Sequence, residues 1–423
     1  MIRTLLTALK THPGVDGWLV TETATASRQA FYVLNKLETR RIQETREYQV
    51  TVYHRFAENE KTYLGSSQFA VSRKLPGKEC HRMIEEAVHA ASFIKNQDFE
   101  LVEGGTKRRF RQTPPAGDAF ELLDGVAHGF IDLSTDHSRF NALELFLTTS
   151  TLRTLNSRGV DLTKTLHQLE IEAIPSFDGE KQKVELYRHF VYPSLDWKQI
   201  RRDAATALEE VAARYAAGSI GEAKTLPVIL RDENVKEFFQ TLIEDYSYGS
   251  VYRQMTDKKI GDTLQKEPKG DVLTIGMRPA CKADAFDRDG VILKPAVIVE
   301  KGILKDYYGP NQYACYLGLK PNGIYNTTAV LPGTNPIKTL RKTPHVEIIA
   351  LSGIQIDMYS GYIGGEVRLA LWFDGKETRP VSGFSFSGNI DRCLANLRLS
   401  KETVTMDGYS GPRFVALPEM ELL

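Results

Sequence analysis

From Leu226 the sequence turns into a succession of strand-like runs separated by Gly- and Pro-rich turns, and this pattern continues to Pro418. It calls for sheets of short, largely antiparallel strands rather than a helical bundle. The run Leu226-Pro227-Val228-Ile229-Leu230 reads as the first strand, and 233–243 behind it reads as a helix. No solenoid-length repeat, heptad run or low-complexity tract is present anywhere in the chain.

The upstream part mixes both periodicities. Leu5, Leu6 and Leu9 give a short amphipathic opening. Four segments, 17–24, 29–37, 48–56 and 62–71, are rich in β-branched and aromatic residues and separated by polar turns, so four strands are expected. After Pro76-Gly77, residues Cys80, Met83, Ile84, Ala87, Val88 and Ala91 fall on one face of a helix. The charged stretch 103–117 breaks periodicity and reads as a linker, with Lys107-Arg108-Arg109-Phe110-Arg111 as a solvated cluster within it. Strands are expected at 144–155 and 166–174, joined through Asn156-Ser157-Arg158-Gly159, and again at 183–191. A helix over 197–217 presents Ile200, Ala204, Ala207, Leu208, Val211 and Tyr215 on its apolar face. The expected fold class is α+β in three parts. These are an N-terminal helix–four-strand–helix domain (1–102), a β-rich middle domain (118–222) and a mostly antiparallel β domain (226–423).

Charge and cysteine usage narrow the function classes. The 54 basic and 54 acidic residues cancel, which argues against electrostatic capture of nucleic acid. Cys80, Cys281, Cys315 and Cys393 form no Cys-x-x-Cys pair and read as reduced thiols, mostly buried. The opening segment from Met1 is interrupted by His12-Pro13-Gly14 too early for a signal peptide. No apolar run approaches the ~20 residues of a membrane span. A cytoplasmic protein without a membrane partner is the expectation.

Several motifs fail on their own chemistry. The nine histidines include no His-Glu-x-x-His and no pair at i, i+4. His81 and His89 fall on one expected helix but eight residues apart, a rise of about 12 Å, too far for one ion. A calcium loop using Asp287 and Asp289 would have to begin at Ala285 and close at Ala296, neither of which can ligate, so Asp284–Gly290 reads as a turn. Gly383-Phe384-Ser385-Phe386-Ser387-Gly388 places its closing glycine one residue too late for a nucleophile elbow, and no helix is expected after it. Phosphate-binding glycine motifs are absent.

One region carries a resemblance. Residues 242–253 read Leu-Ile-Glu-Asp-Tyr-Ser-Tyr-Gly-Ser-Val-Tyr-Arg, 297–307 read Val-Ile-Val-Glu-Lys-Gly-Ile-Leu-Lys-Asp-Tyr, and 378–389 end in Ser-Gly-Asn. In these segments, and in Phe286-Asp287-x-x-Gly290, the chain from about Leu226 resembles the TldD/PmbA (TldE) family, long labelled modulators of DNA gyrase. The order of elements upstream is similar too, including the turn Val33-Leu34-Asn35-Lys36-Leu37-Glu38. Catalytic members carry His-Glu-x-x-x-His-Gly, whose histidines ligate a metal. This chain keeps Glu244 and Gly249 but has Ile243 and Tyr248 at the histidine positions. An isoleucine has no lone pair to offer a metal. The family's Gly-x-Cys-Gly ligand segment is likewise replaced by Asp407-Gly408-Tyr409-Ser410-Gly411-Pro412.

The resemblance therefore implies a metal-free, non-catalytic TldE/PmbA-like subunit needing no cofactor. Its expected partner is a metal-bearing TldD-like chain, and the pair would be a cytoplasmic metallopeptidase acting on unfolded or leader-bearing peptides. Tyr359, Ser360, Gly361 and Tyr362, in a loop that borders the peptide channel in the family, are the expected peptide contacts, through an exposed strand edge. Two alternatives stay open: a stand-alone homodimeric peptide-binding protein, and an active metallopeptidase whose metal site the sequence does not reveal.

Overall fold

One tight turn organises the first half of the chain. Leu34 and Asn35 both adopt positive φ (45° and 65°), the geometry of a two-residue hairpin turn that an asparagine tolerates. The segments 17–24 and 29–37, expected as separate strands, are continuous up to that turn. The small polar residues between them are hydrogen-bonded to a strand on each side, which keeps them extended.

The computed structural model describes residues 2–72, 76–222 and 224–423, so Met1 of the expected opening helix lies outside the described residues. In chain order the first half comprises α1 (Ile2–Thr11), β1 (Gly17–Val33), β2 (Lys36–Glu58), β3 (Lys61–Val71) and α2 (Gly77–Ala91). It continues with β4 (Arg108–Arg111), α3 (Ala119–Ile131), β5 (Ser138–Asn156), β6 (Asp161–Asp178), β7 (Lys183–Glu185), β8 (Arg188–Tyr192) and α4 (Trp197–Ala216). One sheet of order β3-β2-β1-β5-β6-β4 contains the long strands and crosses the expected boundary between the first two regions. The basic cluster read as linker forms β4, paired in parallel with β6, because Phe110 packs on Phe286 and draws the segment against the rest of the chain.

Side chains alternate between the faces of this sheet. At one end, even-numbered Trp18 and Val20 of β1 pack beneath α1 and α2 with Leu9 and Ile84. At the other, Ala30 and Tyr32 pack beneath α3 and α4 with Phe130 and Ala204. The same parity puts both helix pairs on one face. The expected apolar faces of α2 and α4 are the buried ones, except that Met83 and Val88 are only partly buried and Tyr215 stacks at the margin on Phe177.

The second half comprises β9 (Lys224–Arg231), α5 (Glu233–Glu244), α6 (Tyr248–Tyr252), β10 (Ile275–Arg278), β11 (Ala296–Glu300), β12 (Ile303–Leu304) and α7 (Asn311–Tyr316). Then come β13 (Thr327–Val330), α8 (Ile337–Leu340), β14 (His345–Asp357), β15 (Tyr362–Phe373), β16 (Thr378–Val381), β17 (Phe384–Asn389) and α9 (Ile390–Asn396). The chain finishes with β18 (Arg398–Leu399), β19 (Thr403–Met406), β20 (Tyr409–Pro412) and β21 (Phe414–Leu422). Strands β14, β9, β21, β17 and β15 pair in that order, and β15 returns to β14, closing a five-stranded barrel. A second sheet runs β12-β11-β10-β13-β20-β19, and the chain passes from it into the barrel through Arg413. Helix α5 spans the seam: Asn234 donates to the carbonyl of Ile348 in the barrel, and Gln240 to that of Gly408 beside the second sheet.

A buried ion pair joins the two halves. Lys164, on the sheet face opposite the helices, donates to Asp284 Oδ1 at 2.6 Å and to the carbonyl of Phe286 at 2.6 Å. The two side chains are 9% and 1% exposed. The ammonium also lies 5.0 Å from the centre of the Phe286 ring, and Val160 and Leu162 seal the contact. Breaking such a pair strands a charge away from water. Lys164→Ala is therefore expected to cost about 3–5 kcal/mol in urea unfolding, and Lys164→Met combined with Asp284→Asn to cost less than the lysine replacement alone.

Candidate functional site

Ile243 ends the apolar face of α5, and both it and Tyr248 lie inside the largest apolar core with Phe238, Phe239 and Tyr246. Glu244, the last residue of α5, is exposed. The helix does not continue through the motif. Ser247 caps a new short helix by accepting from the Ser250 amide, so α6 begins at Tyr248.

Tyr246 and Tyr248 are completely buried. The Tyr248 amide donates to the carbonyl of Tyr308 at 2.7 Å and its hydroxyl to the carbonyl of Lys320 at 3.2 Å. Tyr308 in turn donates to the carbonyl of Ile243 at 3.3 Å. Burial raises the pKa of the Tyr246, Tyr248 and Tyr308 phenols well above the ordinary value, with nearby carboxylates adding to it. The Tyr248 and Tyr308 hydroxyls donate to backbone carbonyls, and the Tyr246 hydroxyl is buried with no hydrogen-bond partner among the described residues. Gly249 is buried with its α-carbon under Tyr313, where an added Cβ would come within 3.6 Å of the ring.

The replaced cysteine segment is close by. Tyr409 stacks on Phe239 of α5 at 6.3 Å and 8°, and its hydroxyl donates to the Pro412 carbonyl. The structure thus brings together both regions that supply metal ligands in the family and fills them with aromatic rings. Among the described residues, no group of three or more His, Cys, Asp or Glu side chains could hold a metal ion. The residues present do not fit the family's metal.

The loop of expected peptide contacts is the β14–β15 turn. Asp357 accepts from the amides of Tyr359 and Ser360 and from the Ser360 hydroxyl, and Gly361, at φ 73°, fits against Asn389. Ser360 and Gly361 are therefore committed to the turn itself. Tyr359 is 64% exposed and Tyr362 41% exposed. Tyr359 donates to the carbonyl of Gln254, just past α6, so the turn and the altered motif are neighbours. The strand edge is closed over 362–367, where β15 is paired with β14 on one side and β17 on the other. β14, however, pairs with β9 only over 346–348, so the outer side of 349–357 has no strand partner among the described residues. Tyr362 folds back over Gly364, beside an open depression of about 500 Å³ lined by Gln355, Glu366, Ser385 and Ser387.

Sequence reasoning missed an aromatic cluster beside this turn. Tyr252 of α6 lies 5.6 Å from Tyr313 and 5.0 Å from Tyr316 of α7, while Arg253 donates to the Tyr313 hydroxyl. The i, i+3 spacing of Tyr313 and Tyr316 on one helix was the available signal. The run after β17 also differs from expectation, since Asn389 caps α9 directly behind the serines. Ser385 and Ser387 sit within a paired strand rather than on an elbow.

The turn at Asp284–Gly290 is a structural clamp. Asp287 accepts from the amides of Asp289, Val291 and Ile324. Burial, helped by the charge of Asp289, pushes its carboxyl up to about 6 despite those three donors. The cysteines are all free; Cys80 and Cys393 are buried, whereas Cys281 and Cys315 are only partly so. No helix among the described residues is long and apolar enough to cross a membrane.

Two measurements follow from this geometry. Tyr248→Ala would empty a filled core site and is expected to cost about 3–5 kcal/mol, with Tyr248→Phe costing about 1 kcal/mol for the lost hydrogen bond. If thermal unfolding showed the alanine variant to be nearly neutral, the site would be an open groove rather than packed core. For Asp287 the folded pKa is raised, so its contribution is fully present below about pH 4 and lost as pH rises through about 6. Unfolding free energy is expected to fall by about 2–3 kcal/mol over that window. Asp287→Asn, though it gives up the bond from Ile324, should reduce that slope; the remainder includes the neighbouring Asp289, whose carboxyl pKa is also raised by burial.

Comparison with known proteins agrees with this arrangement. Residues 223–422 match the family model described as the PmbA/TldA metallopeptidase C-terminal domain. No curated protein sequence matches the chain. Among solved structures, TldE from Thermococcus kodakarensis superposes with a TM-score of 0.77 at 15% identity, covering 100% of this chain and 99% of that one. A protein from Thermotoga maritima described as a candidate modulator of a DNA gyrase gives 0.76 at 15% identity, with 100% and 99% covered. A similarly described protein from Bacteroides thetaiotaomicron gives 0.79 at 14% identity, with 100% and 97% covered. These structures share the fold over the whole length, and the matched domain supplies the kinship: the C-terminal region, residues 223–422, belongs to the TldD/PmbA family.

Proposed function

We propose that the chain is a metal-free, non-catalytic subunit that pairs with a metal-bearing TldD-like relative to form a peptidase for extended peptides, such as unfolded or leader segments. The observation that carries this reading is the fate of two positions. Ile243 and Tyr248 stand where catalytic relatives have histidines, and both are sealed in the core. An isoleucine offers an ion no lone pair, and the Tyr248 hydroxyl is engaged with the Lys320 carbonyl inside the core.

What remains is binding surface. Tyr252, Met255, Tyr359 and Tyr362 are exposed around the end of α6 and the β14–β15 turn. Tyrosines offer broad, rigid contact area plus one hydrogen-bonding group, which suits peptides of varied sequence. The gyrase description attached to two structural relatives finds little support in a chain whose basic and acidic residues balance at 54 each.

The test is metal content and peptidase activity of the pure chain, alone and mixed with a co-encoded homologue carrying His-Glu-x-x-x-His. The expected result is a chain without stoichiometric metal, silent alone, and required in addition to the homologue for full cleavage of an unfolded peptide. Stoichiometric metal in the pure chain, or cleavage by it alone, would overturn the proposal.

A further inference from the structure

Two strand ends meet head to head on one edge of β6. β4 runs parallel to β6 and covers it from Leu162 to Thr165, while β8 runs antiparallel and covers it from Ala173 back to Leu169. Both chains therefore arrive, at their C-terminal ends, at the uncovered stretch 166–168. Neither can continue the ladder: Pro114-Pro115 follows β4, Pro193 follows β8, and proline has no amide to donate. Each leaves the sheet for a helix, one through Asp118 into α3 and the other through Asp196 into α4. Chains that part at neighbouring strand ends leave a crevice between them, as they do at the switch points of open α/β sheets.

The crevice is a cavity of about 360 Å³, within the range of about 300–1,000 Å³ usual for small-molecule sites. Its floor is Leu147, Leu169 and the ring of Tyr192, which belong to the core beneath α3 and α4. Pro115 and Pro193 stand at its sides and Trp197 at its rim. The indole of Trp197 lies against Gly125 of α3, where an added Cβ would crowd it at 3.3 Å, yet the residue is 46% exposed. A glycine within a helix weakens it, and here it makes room for the ring. Trp18 and Trp372, by contrast, are buried.

The polar groups are few and fixed. Gln112 accepts from the His167 amide at 2.9 Å and donates to the Pro193 carbonyl at 2.5 Å, standing in for the missing strand. His167 is further held through Nδ1, 2.9 Å from the Thr149 hydroxyl. Its other ring nitrogen, Nε2, has no partner among the described residues and is free to meet a ligand. The Tyr192 hydroxyl is committed to Asp203, so Tyr192 contributes only its ring. No Lys, Arg, Asp or Glu is among the described residues that line the cavity. Asp118 and Asp196 already answer the first amides of α3 and α4, so the helix starts hold little attraction for an anion.

We propose that this crevice binds a neutral, flat aromatic molecule of phenol or indole type. Its ring lies over Leu147 and Leu169 beside Trp197, and its hydroxyl or N–H is hydrogen-bonded to His167 Nε2. All lining residues fall within 112–197, on the sheet face opposite the Lys164 contact, so failure of this assignment would leave the proposed subunit role standing. The test is calorimetric titration of the full chain with 2-naphthol, a neutral two-ring probe. One equivalent should bind with a Kd below about 1 mM. 2-Naphthoate, with the same rings but a charge, and cyclohexylmethanol, neutral but not flat, should each bind about tenfold more weakly or not at all. Ser194→Trp fills the cavity from its exposed rim and should weaken 2-naphthol binding at least about tenfold. Trp197→Ala should do the same by removing a wall. Both positions are exposed, so urea unfolding should be unchanged and a loss of binding would report on the cavity. Absence of saturable binding, equal binding of 2-naphthoate, or full binding by Ser194→Trp would each overturn the assignment.

Discussion

The ammonium of Lys164 and the carboxylate of Asp284 sit where neither could sit alone. Two charges at 2.6 Å, almost out of reach of water, are tolerable only because each answers the other and the Phe286 carbonyl takes a further ammonium proton. The geometry demands that the sheet and the C-terminal half meet in one orientation. Phe110 of β4, Phe286 and Val160 pack around the pair, so a stretch that is hydrophilic in sequence becomes part of an interface. The position of α5, the barrel and the second sheet relative to the long strands is referred to this contact.

The second constraint is closure. Closing a barrel removes edges, and here the pairing of β15 with both β14 and β17 leaves no free edge along 362–367. The unpaired residues go elsewhere, to the bulge at Ser352-Gly353, where the Ile354 amide is recovered by Glu237 of α5. Helix and bulge hold each other in place, and the candidate contact residues stand on the turn that follows.

What was legible in the sequence is what depends on near neighbours. The apolar faces of α2 and α4, the Asn156–Gly159 turn and the alternation within β5 and β6 each follow from residues within a few positions of one another. Pairing across long separations was not legible. Thr25-Ala26-Ser27-Arg28 looks like a turn until β2 and β5 flank it, and Lys107–Arg111 looks like a linker until β6 pairs with it and Phe110 packs inward, while its basic side chains stay exposed as expected. The site divides in the same way. That Ile243 cannot ligate is plain from its chemistry, whereas the burial of Tyr248 and the filling of the space depend on Tyr308 and Lys320, 65 positions from Ile243 and 72 from Tyr248. The exposed state of Glu244 goes with the break between α5 and α6, where the expected helix end at 243 and the Ser247 cap both fall.

The packing around Ile243 and Tyr248 has an evolutionary side. Any path toward a metal-binding descendant would pass through chains with a single imidazole placed in a dry apolar core, before a second ligand existed to make it useful. Such an intermediate would lose stability without gaining chemistry. The arrangement therefore works as a ratchet: once aromatic and aliphatic side chains occupy the ligand positions, selection on the folded state holds them there. A substitution at an exposed position such as Tyr359 or Tyr362 makes no such demand on the core.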